Sequence, residues 1–280
     1  MSSEPLAVVF GLASAATWGA SDFSGGIATK RTPVLTVVIV SQLMGGILLL
    51  VLALILAEVI PSRNALLLGG IAGMSGAFGL IALYSGLARG RMGVVSPVAA
   101  VTTAVLPLGV GIFTEGLPPA PQLAGFGIAM IGIWFLSRGG SDAPIRVREL
   151  SLPLAAGVGF GAFFTLIGRV SHDGIMWPLV AARIASISML GVVCAIRRQS
   201  VLPTRNQLPI IALTGIFDTG GNAFYALATQ AGRLDIATVL ASLYPAGTVL
   251  LACLIQKERL ERQQWIGVIA TLAALALIAL

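Results

Sequence analysis

The sequence is poor in charge. Asp, Glu, Lys and Arg make up 10% of its 280 residues, against roughly 25% in a typical soluble domain. With 57% hydrophobic residues and a mean hydropathy of +0.97, too little polar sequence remains to cover a water-facing surface. Metal ligands are equally scarce. There is one histidine and there are two cysteines, and no C-x-x-C, H-x-x-x-H or H-E-x-x-H spacing, so neither a metal centre nor a cofactor is expected. Cys194 and Cys253 lie inside apolar runs and read as inert small hydrophobes rather than a disulfide. Strands of alternating polarity, which a membrane barrel needs, are absent. The net charge of +6 does not point to nucleic acid, because the bases are scattered in short loops and build no contiguous stripe. The first apolar run lacks a basic n-region, so it reads as retained rather than cleaved.

What is present is long apolar runs. Crossing the hydrocarbon core takes about 20 apolar residues as a helix, which alone satisfies every backbone group there without an edge. Ten spans are predicted, at 6–28, 34–57, 65–87, 94–113, 121–137, 151–170, 177–196, 207–229, 235–255 and 263–280. Pro33, Pro61, Pro118, Pro119, Pro178 and Pro203 stand in or beside the connections, where a residue without an N–H costs least. Of the 17 basic residues, 13 fall at the odd-numbered connections, among them Lys30, Arg31, Arg89, Arg91, Arg197, Arg198 and Lys257. The other side has Arg63, Arg169 and Arg233. Cytoplasmic loops carry the Lys/Arg excess. The expectation is thus a multi-pass protein of a bacterial inner (plasma) membrane, with both termini external.

The chain also repeats itself. A shift of 142 residues lays Gly90-Arg91-Met92 on Gly232-Arg233-Leu234, and Gln122 and Gly125 on Gln264 and Gly267. A shift of 143 lays Glu115-Gly116-Leu117 on Glu258-Arg259-Leu260. The predicted units are 1–137 and 151–280, joined by a polar cytoplasmic linker at 138–150. Five spans per unit is odd, so the two would insert with opposite orientation. Such proteins bind their ligand where the halves meet and work by rocking one against the other.

The informative residues are those that cannot reach water, since a charge near the bilayer centre costs about 2.5–3.5 kcal/mol on insertion scales. Asp218 lies about mid-span, and Thr214, Asn222, Tyr225 and Thr229 share its helical face. That stripe reads as a cavity wall or as a hydrogen-bonded zipper between helices. Ser14, Trp18, Asp22 and Gly25 form a similar face on the first span. Asp22 either lines the pathway or pairs with loop bases near Lys30. Trp18 either walls the cavity or packs. Arg183, the one base inside a span, stands where the first half has Gln42, Ala182-Arg183-Ile184 lying opposite Ser41-Gln42-Leu43. It either binds substrate or pairs with an acid such as Asp218. Tyr84, Thr238, Ser242 and Tyr244 are further candidates, and Pro107 and Pro245 mark possible bends.

Gly73-Met74-Ser75-Gly76 is similar to the G-x-S-G of rhomboid intramembrane proteases, with His172 as the available base. Gly70, Gly73, Gly76 and Gly79 are alternatively a small-residue stripe for close helix packing. An intramembrane hydrolase using Ser75 and a non-transporting scaffold are therefore the readings to weigh against a transporter.

The stretch from Val239 to Leu280 resembles the end of an EamA-type unit of the drug/metabolite transporter superfamily. It carries Ser242-Leu243-Tyr244-Pro245, then Glu258, then Gly267. Pro107, Glu115 and Gly125 form a weaker first copy, and Trp18-Gly19 and Arg183 also fit. The resemblance implies an all-α membrane protein of two five-helix repeats around a central cavity, acting as a secondary transporter, often an exporter, with no enzymatic activity. A single Arg is too few for a phosphorylated cargo. Two acids, an amide and aromatic faces suit amino acids or amine-containing compounds. The expected partners are a small-molecule substrate, membrane lipid and protons, with the protein acting as a monomer.

Overall fold

A computed structural model of the chain describes residues 4–89, 95–96, 98–104, 106–107, 120–138, 147–198, 201–232, 234–257 and 261–278. Glu115, Glu258, most of the linker, and the loop residues Gly90, Arg91 and Arg233 lie outside the described residues. The described secondary structure is helical: α1 Glu4–Thr29, α2 Val34–Ile55, α3 Arg63–Arg89, α4 Ala120–Arg138, α5 Val147–Val170, α6 Met176–Ile196, α7 Leu208–Ala231, α8 Leu234–Ala241, α9 Tyr244–Ile255 and α10 Arg262–Ile278. Residues 95–107 are helical at their described positions. Proline sets several starts: Pro33 precedes α2, and α7 and α9 each carry one in their first turn.

Among the described residues five helices are long and apolar enough to cross a membrane: Pro5–Thr29, Val34–Ile55, Arg63–Arg89, Leu150–Val170 and Met176–Ile196. Their outward faces fit that solvent. Leu43, Ile47, Leu50 and Leu54 of α2, for example, are all exposed, at a spacing of three or four. Helix α7 is as long, but its row of Thr214, Asp218, Thr219 and Asn222 lowers its hydropathy below that of the five. Within the predicted span 235–255 the helix is interrupted. It stops at Ala241 and restarts at Tyr244, with Ser242 and Leu243 as a turn between, at the bend expected from Pro245. Pro245 in the first turn of α9 explains it, because its ring cannot follow an unbroken helix and its missing N–H costs nothing at a helix start.

Helices pack mainly across the chain's two halves. α1 runs along α7 as α5 runs along α3. α2 meets α7 as α6 meets α3, while α2 also meets α6, and α4 meets α10. Since a shift of about 142 converts α1, α2, α3 and α4 into α5, α6, α7 and α10, each contact has a mate or is its own mate. Two glycines show this at atomic detail. A Cβ on Gly73 would strike the backbone of Ala182, and one on Gly215 would strike that of Ser41. Gly73 lies opposite Gly215, and Ser41 opposite Ala182, so one close approach is made twice.

Tertiary contacts also sort the connections by face. Lys30, after α1, donates to Gln256 Oε1, after α9, at 2.6 Å. On the other face Glu58, after α2, accepts from the backbone N–H groups of Ile175, Met176 and Trp177 at 2.8–3.0 Å, and the Trp177 indole donates to the Glu58 carbonyl at 2.8 Å. The carboxylate thereby satisfies the open N–H groups at the start of α6 from a distant loop.

Candidate functional site

One cavity of about 610 Å3, counting space open to solvent, lies between the halves. Its polar lining is Asp22, Gln42, Arg183, Asp218 and Asn222; its aromatic lining is Trp18, Phe160, Phe163, Phe164 and Tyr244. Gly73, Gly76, Ala77 and Leu80 of α3 form a smooth apolar floor between them.

Arg183 anchors the polar side. Its Nη2 meets Asp218 Oδ2 at 2.6 Å. Its Nη1 donates to Gln42 Oε1, which also accepts the Ser186 hydroxyl at 3.1 Å. Asn222 Nδ2 donates to Asp218 Oδ2 at 3.3 Å. A charge removed from water is tolerable when paired and hydrogen-bonded, and this arginine has both. Because Gln42 and Arg183 hold corresponding positions in the two halves, their contact lies where the halves' pseudo-symmetry would bring a position onto its mate.

Asp22 is different. It is 5% exposed, lines the cavity, and among the described residues has no hydrogen-bond donor or base. Asp218 is close enough to act on it electrostatically. Trp18 stacks on Phe164 with centroids 5.1 Å apart, and Phe164 on Tyr225 at 4.5 Å. Thus only the front of an aromatic cluster shared by α1, α5 and α7 meets the cavity.

Of the residues singled out by sequence, Trp18, Asp22, Arg183, Asp218 and Asn222 come together around the cavity, and Tyr84, Tyr225 and Ser242 stand outside its lining. Tyr225 is fully buried, donating to Phe164 O at 3.2 Å or sharing a bond with Thr238 at 3.1 Å. Tyr84 lies against Gly25, its hydroxyl 3.5 Å from that of Ser21. Ser242 Oγ is buried in the α8–α9 break without a partner. The stripe on α7 therefore divides: Asp218 and Asn222 face the cavity, while Thr214 bonds Ser24 at 3.0 Å and Thr229 bonds Ser171 at 3.0 Å. Ser75 donates to the Ala72 carbonyl of its own helix at 2.7 Å, and His172 is on an exposed turn. Gly73 and Gly76 pack on Ala182 and Phe163.

Sequence reasoning missed the Phe160, Phe163 and Phe164 wall. The signal was available, because the 142-residue shift lays Trp18 on Phe160 and Asp22 on Phe164.

Among curated proteins no sequence matches this one. One solved crystal structure, described only as that of a protein, is similar with a TM-score of 0.72 at 17% identity, over 97% of this chain and 95% of that one. At that identity the likeness shows the fold. The sequence profile of the EamA-like transporter family matches twice, at residues 5–138 and 148–280. Together with apolar helices fit to span a bilayer, those two matches place the chain in the EamA-like transporter family, as a multi-pass integral membrane protein.

Proposed function

We propose that the chain is a ten-helix secondary transporter made of two oppositely inserted repeats, 1–137 and 151–280, joined by a cytoplasmic linker at 138–150. It exports small polar or amphipathic metabolites, amino acids and amine-containing compounds ahead of phosphorylated ones, by alternating access. It acts as a monomer in a bacterial inner membrane with both termini outside. The observation that carries this reading is the cavity itself: a charged cavity lined by both halves, with Gln42 and Arg183 in contact at its polar side. Transporters of duplicated design hold cargo at that place and move by rocking the halves around it.

Orientation is supported by the basic odd connections and by the loop pairings that keep Lys30 with Gln256 and Glu58 with Trp177. Cargo class is supported by the lining, in which, among the described residues, Arg183 is the only base against two acids. Coupling is assigned to Asp218 and its ion-pair partner Arg183.

The test is a metabolite panel screened for thermal stabilisation of the purified protein, followed by flux of the stabilising compounds in proteoliposomes. Saturable flux that Asp218→Asn reduces severalfold is expected. Absence of flux for every compound, or undiminished flux with an unchanged pH profile in Asp218→Asn, overturns the reading.

A further inference from the structure

The cavity's charges do not balance, and the imbalance has a location. Among the described residues Arg183 is the only basic one in the lining, and it is already engaged by Asp218 at 2.6 Å and by Gln42. No described basic group is left to receive a carboxylate. Asp22 lines the same chamber, 95% buried by exposure, without a donor or a base among the described residues.

The same lining holds a second polar group. The Tyr244 hydroxyl is buried within reach of the Thr103 hydroxyl without completing a well-formed hydrogen bond, and the residue lines the cavity. Thr103, its neighbour, gives its own proton to the Ala99 carbonyl at 2.8 Å. Tyr244 is within electrostatic range of Asp22. Its place is fixed by the break at Ser242–Leu243 and by Gly19, whose absent side chain lets α1 press on the Tyr244 carbonyl; a Cβ there would come within 2.8 Å of it. The Asp22 carboxylate, without a donor, and the Tyr244 phenol oxygen, with acceptor capacity to spare, belong to two residues that line one chamber, and are two acceptors for a single multi-proton donor. An ammonium has three N–H donors, and the faces of Trp18, Phe160, Phe163 and Phe164 offer both cation–π attraction and apolar area for the rest of the molecule.

We infer that Asp22 and Tyr244 form an ammonium subsite, and that the cavity selects monocationic amines with an apolar body over α-amino acids bearing the same side chain. This rests on the transporter reading and narrows its cargo. A monocation cancels the excess acid. A zwitterion brings a carboxylate that finds only a base already paired, and an unpaired buried charge is strongly unfavourable.

The experiment compares matched ligands on the full-length protein: 2-phenylethylamine against L-phenylalanine, and tryptamine against L-tryptophan, with 3-phenylpropionate as the carboxylate-only control. Thermal shift gives affinity, and proteoliposome flux follows. The amines should bind at least tenfold more tightly than their amino acids, and 3-phenylpropionate should not bind. Asp22→Asn should remove the amine-induced shift. Tyr244→Phe, which keeps the ring and deletes only the hydroxyl, should weaken amine binding roughly tenfold. If Asp22→Asn does not fold, Tyr244→Phe alone decides. Equal or tighter binding of the amino acids, no binding of either amine, or an amine response unchanged in the variants overturns the inference. Selective amine binding without flux of any compound leaves the subsite standing and overturns the transporter reading.

Discussion

Helices α3 and α7 hold the same place in the two halves and face the same cavity, but they line it with different chemistry. α3 presents Gly73, Gly76, Ala77 and Leu80; α7 presents Asp218 and Asn222. The shift of 142 lays Gly76 on Asp218 and Leu80 on Asn222. Their neighbours differ in step, since α2 supplies neutral Gln42 where α6 supplies Arg183. The first helices differ in the reverse sense, with Asp22 of α1 opposite Phe164 of α5. The backbone approaches, by contrast, are nearly identical, as Gly73 on Ala182 and Gly215 on Ser41 attest. Packing of the halves is thus a symmetric problem solved once and used twice. The cavity is freer of that constraint because its side chains border open space as well as one another, so each half could acquire a different wall.

The largest effect is expected where that difference is greatest. Asp218→Ala leaves Arg183 buried beside Gln42 without its acid, which costs about 3–5 kcal/mol for a buried pair broken on one side. Adding Arg183→Gln gives the second half the neutral chemistry of the first. The double variant should regain most of the lost melting temperature and none of the lost transport. If it melts as low as the single variant, the ion pair is not what separates the halves.

The symmetric contacts come next. Gly73→Val and Gly215→Val each force branched side chains into a neighbouring helix backbone, at about 1–3 kcal/mol for overpacking. The two should lower the melting temperature by similar amounts. A large loss at one site and none at the other would break the equivalence.

How much of this was legible depended on whether a property is local. Helix extents were readable because apolar length is written in consecutive residues: 34–57 was expected where α2 covers Val34–Ile55, and 177–196 where α6 covers Met176–Ile196. The break at Ser242–Leu243 was half legible, since Pro245 signals a fault but not whether the chain bends or stops. Which member of a polar stripe meets the cavity was not legible. Thr214, Asp218 and Asn222 share a face of α7, and only contacts from α1 and α6 separate them, Ser24 taking Thr214 and Arg183 taking Asp218. Glu58 escaped notice for the same reason: its three N–H donors lie more than a hundred residues further along the chain.

Glu58 supplies a smaller effect. It is half-buried and accepts three backbone N–H bonds at the start of α6. Glu58→Gln keeps the shape but loses the charge and one acceptor, at about 1–2 kcal/mol after allowing for its partial exposure. The melting temperature should fall modestly, with cargo affinity unchanged because the residue is outside the cavity lining. A change in affinity without a change in stability would instead tie this loop contact to the site.

The smallest effect is expected at Ser75, where the comparison of the two halves is also most economical. Its hydroxyl donates to Ala72 O at 2.7 Å, a bond within its own helix that competes with the ladder rather than joining two elements. Ser75 lies between Gly73 and Gly76, both of which line the cavity, and is itself absent from that lining. The shift of 142 lays it on Phe217, so the corresponding position in α7 carries no hydroxyl at all. Ser75→Ala should therefore change stability by less than about 0.5 kcal/mol and leave flux and cargo affinity as they are. Were the Gly-Met-Ser-Gly stretch a nucleophile site instead, the same variant would abolish a hydrolytic activity of the purified protein. Loss of either flux or hydrolysis in Ser75→Ala would move α3 from the floor of the cavity into its chemistry, and would show that the polar function is not confined to the pairing of α6 with α7.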